Sequence, residues 1–307
     1  MRRPLARVLL LRAEAALVLV AALLSLLFYL RLPSTLPAQQ DYEAVARRIT
    51  AQAGPGDAVL LDPHWAERIR LLVADVPILN LARNPTREDL AGYARLFVLS
   101  LPALPRSDRA GTFALLEQLR FRRAGDPEPF GNLSLALFEN TGVERPSFDF
   151  TAEIARARVY IRRPDGSEEL CPRRGDRHPC PRASWIDVGA ELKEIAFKPY
   201  RCLWAHPAGA EPLVIEYADV PIGPELRLLA GIVGQIAFRR ERYAPVSLEV
   251  KIDGERLTEL VVPPGEPGER RRTVRTGRFE GGRHTVQFEV SARDPGMRHF
   301  CFAAGIY

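Results

Sequence analysis

The chain has 307 residues, 47% of them hydrophobic, with a formal net charge of +5. That length supports two domains with cores of their own. Arg2, Arg3, Arg7 and Arg12, less Glu14, put +3 into the first fourteen residues and leave +2 for the rest; with no aromatic-studded basic face, nucleic acid is excluded as the expected partner.

From Ala15 to Leu30 the chain reads AALVLVAALLSLLFYL, without a charge. Extended back to Val8, this stretch reaches the roughly 20 residues that cross a bilayer. With the arginines on its N-terminal side, residues 1–14 are expected to be a cytoplasmic basic tail and 15–31 a transmembrane anchor. Residues 32–40 are then a Pro-containing spacer, and the rest of the chain lies outside a bacterial inner (cytoplasmic) membrane. A cleaved signal peptide is the rival reading, but Leu36-Pro37-Ala38 makes a poor cleavage site and the anchor is preferred.

Residues 41–142 read as an α/β domain. Helical spacing in DYEAVARRITAQA is followed by the strand AVLLD. Next come a helix over 64–74, a strand over 76–81, and a helix opening at Thr86. RLFVLSL (95–101) is a third strand, and a helix over 107–120 is capped by Ser107. Near-continuous apolar strands alternating with helices predict a parallel, Rossmann-like sheet, closed by an antiparallel pair from FRRAG and NLSLALFEN. After TGVERPS the pattern changes. From 147 to 307, short alternating runs separated by turns such as Pro164-Asp165-Gly166 predict an all-β, jelly-roll-like sandwich.

On the oxidising side of a membrane, four cysteines are expected to pair. The spacing of Cys171 and Cys180 suits a bridge across a hairpin loop, and Cys202 and Cys301 would tie two strands together. Free thiols remain an alternative, as does a metal held with His178, although the spacing of a structural zinc site is missing. Arg174-Gly175-Asp176 is assigned no function.

No phosphate-cradling glycine loop follows the first strand, and no nucleophile elbow is present, so no cofactor and no metal are expected. Asp62, His64 and Trp65 follow that strand's carboxyl end, where α/β sheets place their sites, and are candidates for sugar binding. In the sandwich, Trp185, Tyr200, Trp204 and His206 are candidates for a carbohydrate-binding face. Asp187, Glu191 and Glu194 form an acidic cluster of the kind a glycosidase would need to converge across a bond.

The stretch DYEAVARRITAQAGPGDAVLLDPHWAERI after a hydrophobic helix resembles the extracytoplasmic C-terminal region of certain multi-span glycosyltransferases. These use polyprenyl-phosphate sugars and belong to the dolichol-phosphate-mannose and aminoarabinose transferase class. The tail from PVSLEVKIDGERL to HFCFAAGIY is similar to carbohydrate-binding jelly-roll modules. The loop that carries such transferases' catalytic acids has no counterpart here, so the resemblance implies their non-catalytic, outward-facing portion. The expectation is a single-pass accessory or glycan-binding protein of envelope glycan or lipid-linked sugar metabolism, without its own catalytic site and with a glycan or a membrane glycosyltransferase as partner. The alternatives are a glycosidase or sugar transferase using Asp62 or the 187–194 acids, and a purely structural envelope protein.

Overall fold

A computed structural model describes residues 3–63, 66–80, 87–102, 109–234 and 243–307. The chain divides into two compact units, 1–143 and 144–307.

The first unit opens with helix α1 (Arg3–Thr35), whose 33 residues extend about 50 Å. An 18-residue window in this region has a mean hydropathy of 2.3 with none of it buried, so the helix is long and apolar enough to cross a membrane. Its exit is held from the side: the Asn132 carboxamide donates to the carbonyls of Ser34 and Leu36, both at 3.0 Å. Helix α2 (Gln39–Gln52) follows, and Asp41 in its first turn accepts from the Ala38 N–H at 2.9 Å.

Strands β1 (Asp57–Asp62), β2 (Ile78–Leu79) and β3 (Arg95–Ser100) run parallel in the order 2-1-3. β4 (Phe121–Arg123) and β5 (Glu128–Phe130) each pair with β6 (Leu133–Asn140), which is antiparallel to β3. The central strands are apolar on both faces because both are covered. Val59, Leu61, Phe97 and Leu99 pack with Tyr42, Val45 and Ile49 of α2, while Ala58, Leu60, Leu96 and Val98 pack with Leu116 and Leu119. Leu116 belongs to helix α4 (Arg109–Gln118), and α3 (Arg87–Leu90) is a single turn. At the start of β1, buried Asp57 pairs with Arg95 (Oδ2 to Nη2, 2.6 Å) and accepts from the Gly54 N–H at 2.7 Å.

The expected Rossmann-like winding is not realised among the described residues. Where the sequence pattern predicts a helix over 64–74 there is only a 3-10 turn, Glu67–Leu71. Ile69 and Val73 are buried while Leu71 is left 85% exposed, so the apolar residues of this stretch do not all reach one packed side. Thr86 and Ser107, the expected helix caps, lie outside the described residues.

The second unit is an all-β sandwich. Its strands are β7 (Phe148–Asp149), β8 (Arg158–Arg162), β9 (Glu168–Leu170), β10 (Arg177–Pro179), β11 (Asp187–Ile195), β12 (Lys198–Ala205), β13 (Leu213–Pro221), β14 (Glu225–Ile232), β15 (Val246–Ile252), β16 (Glu255–Val262), β17 (Arg270–Arg275), β18 (Arg283–Ser291) and β19 (Phe300–Ile306). One sheet has the order 10-11-12-19-14-17 with β7 beside β19; the other has the order 16-15-18-13-8-9. Alternate residues of both sheets fill the core between them, among them Leu203, Phe288, Phe300 and Phe302. Tyr217, fully buried, donates to the Phe150 carbonyl at 2.7 Å and meets Phe150 edge to face at 5.1 Å.

Both cysteine pairs are joined, Cys171 to Cys180 and Cys202 to Cys301. The first lies in the core and braces the legs of the turn Arg174–Arg177, whose Gly175 has φ +65°. The second links β12 to β19 on the sheet's outer face, since Leu203, Phe300 and Phe302 take the inner one.

Candidate functional site

Strand alternation sorts the candidate residues by face. In an antiparallel ladder directly opposed residues share a face. Trp204 stands opposite Cys301 on one side and Gly189 on the other, so all three lie on the outer face with the Cys202–Cys301 bridge. His299, two residues before Cys301, takes the same side.

Four rings gather there. Trp185 meets His206 edge-on with centroids 4.8 Å apart; Trp204 lies 6.4 Å from His206 and 5.4 Å from His299. The two imidazoles are 5.9 Å apart. Trp185 is 49% exposed, while His206 is buried beneath it. The Lys193 ammonium sits 5.0 Å from the Trp204 ring centroid, a cation–π contact over that indole.

The imidazoles are tuned by their surroundings. Burial pushes the His206 pKa below its ordinary value; the Pro207 carbonyl and Asp187 act against this, and His299 and Arg298 act with it. His299 is lowered as well, first by burial and then by the cations Lys193 and Arg298. His206 Nδ1 donates to the Pro207 carbonyl at 3.1 Å, since a carbonyl only accepts. The neutral ring therefore keeps Nε2 as an acceptor. A half-exposed indole seated on an imidazole offers stacking for a flat apolar ring face.

The acidic cluster is organised differently. Arg177 crosses Gly189, where an added Cβ would come within 3.1 Å of its side chain, and bonds both Asp187 (Nε to Oδ2, 2.6 Å) and Glu191. Lys193 also pairs with Glu191. Burial would raise the Glu191 pKa, but hydrogen bonds from Lys193 and Arg177 hold it below the usual carboxylate range. Glu194 falls on the opposite face of β11 by alternation, so the three acids do not converge.

Tyr200 lies four residues from Trp204 along β12, with the Arg271 guanidinium 5.8 Å from its ring centroid, and is not part of the four-ring group. Asp62 ends β1 in the other unit, while His64 and Trp65 lie outside the described residues. Among the described residues no group of three His, Cys, Asp or Glu could hold a metal ion. Sequence reasoning missed His299, although the alternation of HFCF, with both phenylalanines inward, marks it as a neighbour of Cys301.

No family model matches this chain, and no curated protein matches it. Some solved structures resemble part of it. CBM51-2 with INT domains from Clostridium perfringens ZmpB, in complex with GlcNAc, is 13% identical over 48% of this chain and 25% of that one, with a TM-score of 0.27. CBM51 from the Clostridium perfringens GH95 enzyme, in complex with methyl-galactose, is 15% identical over 48% of this chain and 79% of that one, also at 0.27. The tandem CBM51 modules of a family 98 glycoside hydrolase from Streptococcus pneumoniae are 12% identical over 57% and 54%, at 0.30. This chain thus spans only a quarter of the ZmpB structure's length and about half that of the tandem modules. Likeness at this level fixes no ligand.

Proposed function

We propose that the chain is a membrane-tethered, extracytoplasmic glycan-binding protein, accessory to envelope glycan or lipid-linked sugar metabolism. The sandwich, read as jelly-roll-like, presents Trp185 to a sugar ring. One observation carries the reading: a tryptophan left 49% exposed, buttressed by buried His206 and followed by Trp204 and His299 on the same outer face. Single exposed aromatics are ordinary, but an exposed indole seated on a second layer of rings is a prepared platform. The disulfides and the apolar α1 support an extracytoplasmic location. Asp187 and Glu191 are both held by Arg177, and Glu191 is kept below the usual carboxylate range, which speaks against its use as a general acid.

The test is glycan-array screening of the detergent-solubilised chain, followed by titration of the best ligand against Trp185→Ala. Loss of about 2 kcal/mol, near 30-fold in Kd, is expected for a central anchor. The unfolding midpoint should hardly move, because the side chain is half exposed. A silent array, or equal affinity in the variant, overturns the reading.

A further inference from the structure

β17 ends one sheet of the sandwich and β16 ends the other, and between these two edges lies a groove of about 860 Å³. Arg256, Thr258 and Leu260 of β16 and Arg270 and Arg272 of β17 are among its walls. In its sheet β17 stands at the opposite end from β10 and β11, so the groove is independent of the Trp185 platform.

Hydrogen-bond phase shows what the edge of β17 offers. Glu225 of β14 exchanges both its backbone bonds with Tyr307, at 2.9 and 3.2 Å, and the Thr276 N–H donates to the Pro224 carbonyl at 3.0 Å. Alternation then commits Arg270, Arg272 and Val274 to β14 and turns the N–H and C=O of Thr273 and Arg275 outward. Both residues are exposed, and among the described residues neither makes a backbone hydrogen bond on that side.

Charge decides what can pair there. Glu225, Glu255, Glu259, Glu266 and Glu269 border this edge, and each is taken by another cation: Arg227, Arg278, Arg256, Arg270 and Lys198. Glu280, past the end of β17, makes no ion pair among the described residues. Arg272, opposite core-facing Leu228, reaches across the groove to the Thr258 hydroxyl at 3.3 Å and meets no carboxylate. Arg275 lies on the outer face opposite Glu225, which turns to Arg227 instead. Arginine on an edge strand ordinarily guards against edge-to-edge association. The guard is selective. A second β17 would set arginine against arginine, whereas an acidic strand would meet a cation on each face.

We infer that β17 accepts an added strand, an extended acidic segment of a partner polypeptide. One carboxylate enters the groove at Arg272, and another, three residues away, lies on the outer face at Arg275. Main-chain bonds at Thr273 and Arg275 set the register, and the two guanidinium groups select the partner. An acidic polysaccharide would satisfy the arginines but has no repeat of donors and acceptors to match the open ladder.

The test is fluorescence anisotropy with the full-length chain in detergent and a labelled peptide. The peptide carries glutamates three residues apart, with valine and threonine between them. Its counterparts are a glutamine version, a version N-methylated at every residue, and labelled polygalacturonate. The acidic peptide should bind, and both altered peptides should be weaker by about tenfold or more. Thr273→Pro removes an outward N–H without touching the ladder to β14, so the unfolding midpoint should hold while peptide affinity falls about tenfold. Arg272→Gln with Arg275→Gln should weaken the peptide to a similar extent, about tenfold, through lost charge. If the proline variant does not fold, the N-methylated peptide asks the same question of the wild type. No binding of the acidic peptide, or binding indifferent to N-methylation, overturns the inference. Polygalacturonate binding that needs the arginines, ignores Thr273→Pro and is as tight as the peptide's would assign the edge to a polyanion and overturn it too. Peptide binding with a silent glycan array would sink the platform reading and leave this one standing.

Discussion

His206 and His299 make the sandwich acid-sensitive. Their neighbours across the cluster are Asp187, Lys193 and Arg298, and burial is the leading reason that both pKa values fall below the ordinary 6.5. A base with a lowered folded pKa takes up protons more readily when unfolded, so stability is complete above pH 6.5 and drains away as the pH falls through the folded values. Urea midpoints should therefore drop between pH 7.5 and 5.0, with a slope of up to about 1.4 kcal/mol per pH unit for each imidazole. Joint replacement of His206→Gln and His299→Gln should flatten that slope; an unchanged slope would place the acid sensitivity elsewhere. In the other unit, Arg95→Met would strand the Asp57 carboxylate, which is 3% exposed, and should cost about 3 kcal/mol in the same measurement. At this scale the sequence was partly legible. Trp185, Trp204 and His206 could be nominated because flat aromatic side chains stack on sugar rings, but the sequence did not tell which face of the sheet they occupy. Arg298 gave no signal, since nothing in DPGMRHF says that its guanidinium folds inward against Tyr243.

The strands were readable for a physical reason: a two-residue period is written into any strand with one wet and one dry face, as in VSLEVKI of β15, which is buried at every other residue. Helices of the first unit were harder: HWAERIRLLVA has apolar residues at a spacing compatible with a helix, yet among its described residues only Glu67–Leu71 coils, as a 3-10 turn. What sequence leaves out altogether is which element lies over which. Ile195, at the end of β11, lies over Gly231 of β14, where an added Cβ would stand 2.5 Å from its Cγ2 and 3.2 Å from the Gly268 carbonyl oxygen. Gly231→Ala should accordingly cost about 1–3 kcal/mol, seen as an earlier unfolding midpoint. Closure between elements also ranks the two bridges. Cys202–Cys301 spans 99 residues and Cys171–Cys180 spans 9, so the chain-entropy account gives about 4.7 against about 2.7 kcal/mol. Replacing each pair by serine should reproduce that order. The reverse order would mean that strain, or structure retained in the unfolded chain, dominates.

For the whole molecule, two independent features point to one topology. The first is α1, long and apolar enough to cross a bilayer, with arginines in its N-terminal turns. The second is a sandwich whose four cysteines all stand in bridges, which a reducing compartment would keep open. Neither derives from the other, because charge bias acts during membrane insertion and sulfur chemistry acts after the fold has closed. The joint below α1 makes the orientation consequential for the first unit. Asn132 ties the β5–β6 turn to the helix exit, so that turn should ride at the membrane surface rather than swing on a loose tether. An alkaline phosphatase fused after Tyr307 should be active in intact cells and a green fluorescent protein in the same place dark. Cysteine labelling under denaturing conditions should find no free thiol until reductant is added. A bright fluorescent fusion would move the sandwich to the cytosol, where both bridges would be reduced and a glycan outside the membrane would be out of reach.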